Sequence, residues 1–228
     1  MNSTVPARMG DAGRCRGRPK TRPDAAQRRA IVEMACQLFL EKGYGATTTD
    51  EIAAACKISK QTLYRLFPGK PGLFKEVIAA TRAKWLNFPV DETLPLDAAL
   101  ERMFQASLDE EADRVRLGLL HLVVAEGGHF PELREAVRLC GAEVSRAELA
   151  GWLARQSARG RLKPCDPRRA ANILMDMVYG AIIVKSTGEV EYPAGAERVE
   201  HIHACIQMFL HGLAVPPQGQ VPVNSSSA

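Results

Sequence analysis

Residues 47–67 have the sequence TTTDEIAAACKISKQTLYRLF, which predicts two short helices joined by a tight turn. Thr48 and Glu51 have the spacing of a capping box, and Ser59 is a favourable N-cap for the second helix. The apolar side chains that would hold the two helices at a steep angle are Ile52, Ala53, Ile58, Leu63 and Phe67. The stretch therefore predicts a helix-turn-helix, whose second helix enters the major groove of DNA.

The second helix of this motif, residues 60–66, supplies the candidate DNA-contacting side chains. Its N-terminal residues would face base edges, where lysine donates to guanine, glutamine pairs with adenine, and threonine contacts a base edge or a thymine methyl group. These predicted readers are Lys60, Gln61 and Thr62. Three other residues suit phosphate contacts, which set the register without reading sequence: Thr48, Tyr64 and Lys70. On spacing alone, a helical hairpin with a polar surface is the alternative.

The chain around this motif predicts an all-α fold of about nine helices. A first helix begins near Asp24 and ends at Gly43, and Pro68-Gly69 separates the motif from a longer helix that reaches Trp85. A change in composition near residues 86–95 marks a domain boundary. Further helices are predicted at about 95–109, 112–126, 131–160, 166–186 and 195–213.

This pattern divides the chain into four parts. A helix-turn-helix domain is predicted at residues 24–88, and a second helical domain at residues 89–213. Residues 1–23 form a basic arm and residues 214–228 a tail rich in proline and serine. Both ends lack a packable apolar face, so we expect them to be disordered.

The charge distribution separates the two halves of the chain. The formal net charge is +4, but residues 1–75 contain 14 Lys and Arg against 6 Asp and Glu, and residues 76–228 contain 16 against 20. A basic N-terminal third favours a polyanionic partner such as DNA. A solvated basic face would have the same composition and is the alternative.

The basic arm contains a short motif of its own. Residues 14–20, RCRGRPK, include an Arg-Gly-Arg-Pro step that resembles the core of a minor-groove AT-hook. Arg16 and Arg18 are therefore candidates for contacts in an A·T-rich minor groove, where the potential is most negative. A basic tail without such a contact is the alternative.

The residue types that enzymes and metal sites need are not arranged in a recognisable pattern. The sequence contains no GxSxG, GxGxxG, Walker loop or HExxH, and its six cysteines include no CxxC pair. No apolar run approaches the ~18 residues of a membrane span, and the N-terminus lacks the apolar core of a secretory signal. We expect a cytoplasmic protein that is not an enzyme and holds no cofactor or metal.

Residues 28–77, with ACQLFLEKGYGATTTDEIAAACKISKQTLYRLFPGKPGLFKEV at their centre, resemble the N-terminal domain of the TetR/AcrR transcriptional regulators. The LF, GY, TT, IA, SK, LY, F and K landmarks occur at the family's spacing. The resemblance implies a three-helix DNA-binding domain, a fourth helix that links it to a ligand domain, and a homodimer on a palindromic operator. It also implies phosphate contacts for Thr48 and Tyr64, groove-facing positions at residues 60–62, and Lys70 at the start of the fourth helix.

Two positions depart from the family's pattern. Cys56-Lys57 replaces the usual Ala-Gly of the turn, which predicts a left-handed backbone at Lys57 with a strain of roughly 1 kcal/mol. Pro71 follows Lys70, where an acidic residue is common. Because proline suits a first helical turn, we expect the fourth helix to form.

The C-terminal half resembles AefR-like members of the same family, in residues 120–137 (LHLVVAEGGHFPELREAV) and 149–182. This resemblance implies a dimer interface on the last two helices and a small-molecule pocket among the central ones. The candidate interface residues are Ile173, Met177, Ile182, Ile206, Phe209 and Leu213. The candidate pocket residues are Met103, Phe104, Leu117, His121, Val124, Phe130, Trp152 and Met175. For both sets, burial in the core of the same chain is the alternative.

These patterns together predict a ligand-responsive transcriptional repressor. We expect it to bind a palindromic operator as a dimer and to be released by a small apolar or amphipathic effector. The alternative is an architectural, A·T-preferring DNA-binding protein without a ligand. A footprint distinguishes the two, because the regulator would protect a short palindrome and the architectural protein would give diffuse coverage.

Overall fold

The structure is a computed structural model that describes residues 24–105, 110–180, 183–184, 190–191, 193 and 195–213. The helices of the first half are α1 (Asp24–Lys42), α2 (Thr49–Ala55), α3 (Lys60–Leu66), α4 (Gly69–Thr81) and α5 (Leu96–Met103). Those of the second half are α6 (Glu110–Glu126), α7 (Pro131–Ala136), α8 (Glu143–Ala158), α9 (Pro167–Tyr179) and α10 (Gly195–Leu213). The predicted all-α fold is confirmed. The predicted arm and tail lie outside the described residues.

The helix-turn-helix forms as its capping residues predict. Thr48 begins α2 with both hydrogen bonds of a capping box to Glu51, and the Ser59 hydroxyl accepts from the amide of Thr62 at the start of α3. Between the two helices, Lys57 has φ +54°, the left-handed conformation predicted for it. Local sequence therefore determines this turn, including its strain.

α4 begins after Pro68 at Gly69, whose φ is +76°. Pro71 lies in its first turn, as the sequence predicted, because that turn needs no amide donor there. α4 packs against α1 on one side of the chain and against α7 and the segment that follows α7 on the other. α4 thus contacts both the N-terminal helices and the second half of the chain.

One hydrophobic core joins the helix-turn-helix to α6 and α7. Its buried residues from the first half include Ile31, Phe39, Tyr44, Leu63 and Phe74, and those from the second half are Leu119, Leu122, Val123, Leu133 and Ala136. A second core is formed by α5, α8, α9 and α10, around Leu100, Trp152, Leu174 and Ile202. The predicted boundary at residues 86–95 therefore does not assign each core to one continuous part of the chain. α6 and α7 follow that boundary in the sequence but pack on the N-terminal helices.

Two details differ from the predicted helices. The helix predicted at 131–160 contains a π-helical segment, Val137–Ala142, between α7 and α8. The helix predicted at 166–186 ends at Tyr179, and Ile183–Val184 pairs with Val190–Glu191 as a two-residue antiparallel ladder. The run Ile182-Ile183-Val184 explains the second difference, since consecutive β-branched residues favour extended backbone. In the part of the chain that the structure describes, no helix is long and apolar enough to cross a membrane.

The strain at Lys57 generates a stability prediction. Lys57→Val should lower the free energy of unfolding by about 1–2 kcal/mol, because a β-branched side chain tolerates positive φ least. Urea denaturation followed by circular dichroism measures the change.

Lys57→Asn is the matched control, since asparagine adopts left-handed backbone readily. It should unfold within about 0.5 kcal/mol of the unsubstituted protein. Equal stability of the valine and asparagine variants would contradict the assignment of strain to this residue.

Candidate nucleic-acid interface and its connection to the C-terminal half

α3 has one buried side and one exposed side. Leu63 and Leu66 are buried against the N-terminal core, whereas Lys60, Gln61 and Tyr64 point to solvent. Tyr64 is 48% exposed, a large fraction for an aromatic side chain of this size. We define these three exposed residues as the reading face.

Lys60 on the reading face is paired with a carboxylate of α2. Its Nζ lies 2.8 Å from Asp50 Oδ1, and this hydrogen bond raises the pKa of Lys60. Both side chains are more than half exposed, and exposed ion pairs contribute little to stability. Lys60 can therefore leave Asp50 for a DNA acceptor at small cost.

The hydroxyls near the reading face differ in what they already bind. The Thr62 hydroxyl hydrogen-bonds to Ser59 Oγ at 2.9 Å, and the Thr48 hydroxyl completes the capping box with Glu51. Tyr64 Oη lies 3.2 Å from Thr49 Oγ1, which joins α3 to the start of α2. The sequence does not identify Thr49 as a DNA-contacting residue. Only its distance from Tyr64 in the structure makes it a candidate.

The structure gives Lys70 internal partners. Its Nζ donates to the carbonyl oxygens of Tyr44 at 2.7 Å and Thr47 at 3.0 Å, and lies 4.3 Å from the centre of the Tyr44 ring. Partial burial lowers the pKa of Lys70, and the nearby Glu126 and Glu132 oppose that shift. The predicted phosphate contact would require the ammonium group to leave these carbonyls. Its role in this geometry is to hold the turn between α1 and α2.

The same turn is bound from the other side by the C-terminal half. Glu126, the last residue of α6, accepts hydrogen bonds from the amides of Tyr44 at 2.9 Å and Gly45 at 2.7 Å. The Tyr44 hydroxyl donates to Glu132 Oε1 at 3.1 Å, and this bond together with burial raises the pKa of the phenol. We call Lys70, Glu126 and Glu132 the turn clamp. Its two glutamates attach the helix-turn-helix to α6 and α7 through two backbone amides and the Tyr44 hydroxyl.

Aromatic rings fill the space beneath the turn clamp. Tyr44 is fully buried, and its ring centre lies 5.4 Å from those of Phe39 and Phe74 and 5.2 Å from that of Phe130. The contacts with Phe74 and Phe130 are edge-to-face, the arrangement that aromatic quadrupoles favour. Phe130, predicted to line a ligand pocket, instead packs on the turn.

A pocket of about 390 Å³ opens where α4, α6, the π-helical segment, α8 and α9 meet. Its wall is largely apolar and contains two aromatic side chains, Trp85 and Tyr179. The other lining residues are Ile78, Arg82, Leu119, Leu120, Val137, Gly141, Ala142, Ser145, Arg146, Met175, Asp176 and Gly180.

Of the residues predicted to line a pocket, only Met175 belongs to this wall. Met103, Phe104 and Trp152 are fully buried in the second core, which agrees with the alternative that these residues belong to the core of the same chain. Leu117, His121 and Val124 lie on α6 away from the pocket wall and are partly buried. α6 does contribute to the pocket wall, but through Leu119 and Leu120, which lie between the predicted residues.

An apolar surface crosses α9 and α10. Ile173 is 50% exposed and Met208 is 69% exposed, and together with the partly buried Met177 they line a shallow groove. Ile206, also predicted to lie in a dimer interface, is fully buried in the core of its own chain, as the alternative predicts. Phe209 is largely buried in the same core and also lines the groove. Ile182 and the side chain of Leu213 lie outside the described part of the structure, as do Arg16 and Arg18 of the predicted minor-groove arm.

Two family models match the chain. The model of bacterial regulatory proteins of the tetR family matches residues 31–77, and the model of the AefR-like transcriptional repressor C-terminal domain matches residues 98–212. The first match contains the helix-turn-helix and most of α4. The second contains most of the pocket wall, the apolar surface of α9 and α10, and two residues of the turn clamp.

Individual proteins give the same result. The transcriptional regulator AcrR of Shigella flexneri is 23% identical over 203 residues, which cover 84% of this chain and 93% of AcrR. The solved structure of the flavonoid-responsive regulator FrrA is 28% identical, with a TM-score of 0.62 over 86% of this chain and all of FrrA. A TetR family regulator from Pseudomonas syringae pv. tomato is 27% identical, with a TM-score of 0.60 over 83% of this chain and 97% of its own.

The turn clamp generates a prediction about two coupled residues. A Cβ added at Gly43, where φ is +89°, would lie 2.5 Å from Glu126 Oε1 and would displace the carboxylate. Gly43→Ala and Glu126→Ala should each lower the free energy of unfolding by about 1–3 kcal/mol. The double variant should lose about 1–2 kcal/mol less than the sum, because either change alone already breaks the clamp.

Chemical denaturation of the four proteins measures this coupling. The control pair is Gly43→Ala with Glu135→Ala, since Glu135 is an exposed carboxylate on α7. These two changes should be additive. Additivity of the Glu126 pair as well would show that its carboxylate does not hold the turn.

Proposed function

Because the chain belongs to the TetR family of transcriptional regulators, we propose that it is a repressor that binds a palindromic operator as a homodimer and is released by a small molecule. Regulators of this family bind DNA and are not enzymes. The proposal concerns the finer points: the reading residues, the dimer, the effector and the direction of regulation. Operator binding also implies that the protein acts in the cytoplasm.

The reading face is the observation that carries the proposal. Lys60 and Gln61 stand at the exposed N-terminal end of α3, where a recognition helix meets base edges. Tyr64, one turn later, stands beside Thr49 of α2, so their hydroxyls can contact one phosphate. Leu63 and Leu66 fix the orientation of the helix from beneath.

A second copy of the chain would cover the apolar surface of α9 and α10. Ile173 and Met208 are large apolar side chains at least half exposed to water, which is unfavourable on a monomer. Pairing these helices with their symmetry mates would form a four-helix interface. The dimer would then present two reading faces about 34–36 Å apart, the spacing of successive major grooves on one side of DNA.

Release would follow from the position of the pocket. Its wall includes Ile78 of α4 and Leu119 and Leu120 of α6, and α6 ends at Glu126 in the turn clamp. A ligand that displaces α4 or α6 therefore moves the turn before α2, and with it the reading face. Two half-sites must be bound at once, so a small change in their separation weakens the complex, and operator DNA must weaken ligand binding equally.

Among similar proteins, FrrA is named as flavonoid-responsive. This supports a small-molecule response for the present chain without identifying its effector. The alternative is an architectural DNA-binding protein, favoured by the excess of basic residues in the first 75 positions. Selection of binding sites from random DNA tests both, since the repressor should enrich an inverted repeat and the architectural protein only A·T-rich sequence.

The reading face generates the first functional prediction. On the selected operator, Gln61→Ala should weaken binding at least tenfold and relax the preference at one base position in each half-site. Tyr64→Phe should weaken binding to all sequences to a similar extent, because a phosphate contact carries no sequence information. Fluorescence anisotropy with operator variants at fixed salt measures both effects.

Arg114→Ala is the control, because it removes an exposed residue far along the chain in α6 that pairs with Glu111. Its operator affinity should remain within twofold of the unsubstituted protein. Unchanged affinity of both α3 variants would contradict the assignment of the reading face.

The apolar surface generates a prediction about assembly. Met208→Asp should convert the dimer to a monomer, because a carboxylate would be buried without a partner at the centre of the interface. Sedimentation velocity measures the mass, and operator affinity should fall with it.

Val144→Asp is the matched control, since Val144 is also an exposed apolar residue but lies on α8. That variant should remain dimeric. A dimer that survives Met208→Asp, or a monomeric unsubstituted protein, would contradict the proposed interface.

A further inference from the structure

The pocket has a charged rim and an apolar interior, and this division restricts its ligand. We propose that it binds an uncharged, planar aromatic molecule that carries a hydroxyl or carbonyl group, and that Ser145 hydrogen-bonds to that group. This inference rests on the proposed function, because it takes the pocket as the effector site. It goes further by assigning the chemical class of the effector and the residue that selects it.

Each charged side chain of the wall already pairs with a side chain of opposite charge. Arg82 pairs with Glu148 of α8, and Arg146 pairs with Asp176 of α9 at 3.0 Å. The Asp176 side chain is 68% exposed and that of Arg146 is 38% exposed, so this second pair stands at the mouth of the pocket. An ionic ligand would have to break one of these pairs or enter without a counter-ion, and burying an unpaired charge is strongly unfavourable. The wall therefore favours a neutral molecule.

The aromatic part of the wall favours a planar ligand. The rings of Trp85 and Tyr179 meet edge-to-face with centres 5.5 Å apart. The Tyr179 hydroxyl donates to the carbonyl oxygen of Trp85. The guanidinium of Arg116, a residue of α6, lies 5.1 Å from the centre of the Trp85 ring. These contacts fix both rings in place. Fixed rings offer a ligand ring preformed stacking or edge contacts without an ordering cost.

Ser145 is the polar group inside this apolar wall. It lies on α8, is 2% exposed and belongs to the pocket wall. A ligand group that hydrogen-bonds to this hydroxyl gains binding energy inside an otherwise apolar wall. Because a hydroxyl both donates and accepts, it can bind either a hydroxyl or a carbonyl group of the ligand.

The π-helical segment provides room for the ligand. Gly141 and Ala142 present almost no side chain to the pocket, and a Cβ at Gly141 would already lie 3.4 Å from Ile78. π-Helical turns are rare and occur frequently at functional sites. At about 390 Å³, the space lies in the lower part of the range for small-molecule sites.

Three probes of one shape test the inference with the full-length chain. 2-Naphthol is neutral at pH 7 and carries a hydroxyl, naphthalene lacks the hydroxyl, and 2-naphthoate carries a negative charge. Isothermal titration calorimetry should show 2-naphthol binding at least tenfold more tightly than 2-naphthoate.

Two variants locate the binding site. Ser145→Ala should weaken 2-naphthol about three- to tenfold, the loss of one hydrogen bond, and leave naphthalene within twofold. Ala142→Leu should weaken both neutral probes at least tenfold, because it fills the pocket. Thermal unfolding of each variant shows whether its fold is retained.

Three results would overturn the inference: no binding of 2-naphthol, equal binding of 2-naphthoate, or an unchanged 2-naphthol affinity after Ser145→Ala. Operator selection with ligand-free protein keeps the proposed function separate. If an inverted repeat is enriched but 2-naphthol fails to bind, the assignment of the ligand class is wrong and the regulator stands. If 2-naphthol binds as described but no operator is enriched, the proposed function fails and the pocket stands.

Discussion

The structure depends on a carboxylate of the C-terminal half that accepts hydrogen bonds from the backbone of the N-terminal half. Glu126, at the end of α6, accepts the amides of Tyr44 and Gly45 in the turn that precedes the helix-turn-helix. Lys70 binds the carbonyl groups of the same turn, so both polarities of its backbone are satisfied by charged side chains. Gly43 is required at this point because its positive φ and the approach of Glu126 leave no room for a side chain. The reading face is therefore not a module on a flexible connection.

The relative strength of the contacts decides which of them can give way. Hydrogen bonds to charged groups contribute about 1.5–3 kcal/mol each when they are shielded from water. The turn clamp contains several that are partly buried, over a core of buried aromatic rings. The pair between Lys60 and Asp50, by contrast, is exposed on both sides and is readily exchanged for contacts with DNA. The base of the helix-turn-helix is thus rigid while its surface stays available, as a reader of DNA requires.

The local features of the fold could be predicted from the sequence, whereas the features that join distant segments could not. Thr48 with Glu51, Ser59 and Lys57 act on their immediate neighbours, so their caps and strained turn follow from spacing alone. Glu126 lies 82 positions from Tyr44, and nothing in its local sequence distinguishes it from other surface carboxylates. Periodicity identifies an apolar stripe but not what covers it. The sequence therefore predicts Ile206 in a dimer interface, whereas the structure buries it in the core of its own chain. Met208, two positions later, is exposed.

The central claim is that the C-terminal half fixes the two reading faces of the proposed dimer through Glu126, and the distance between those faces tests the claim most directly. Nitroxide labels at Ala54→Cys, an exposed position on α2, would be placed in a protein whose native cysteines are replaced by serine. Pulsed dipolar spectroscopy on the dimer should give one narrow distance distribution. Glu126→Ala should broaden that distribution severalfold while circular dichroism shows the helices intact. An equally narrow distribution at the same distance in the Glu126→Ala protein would contradict the claim.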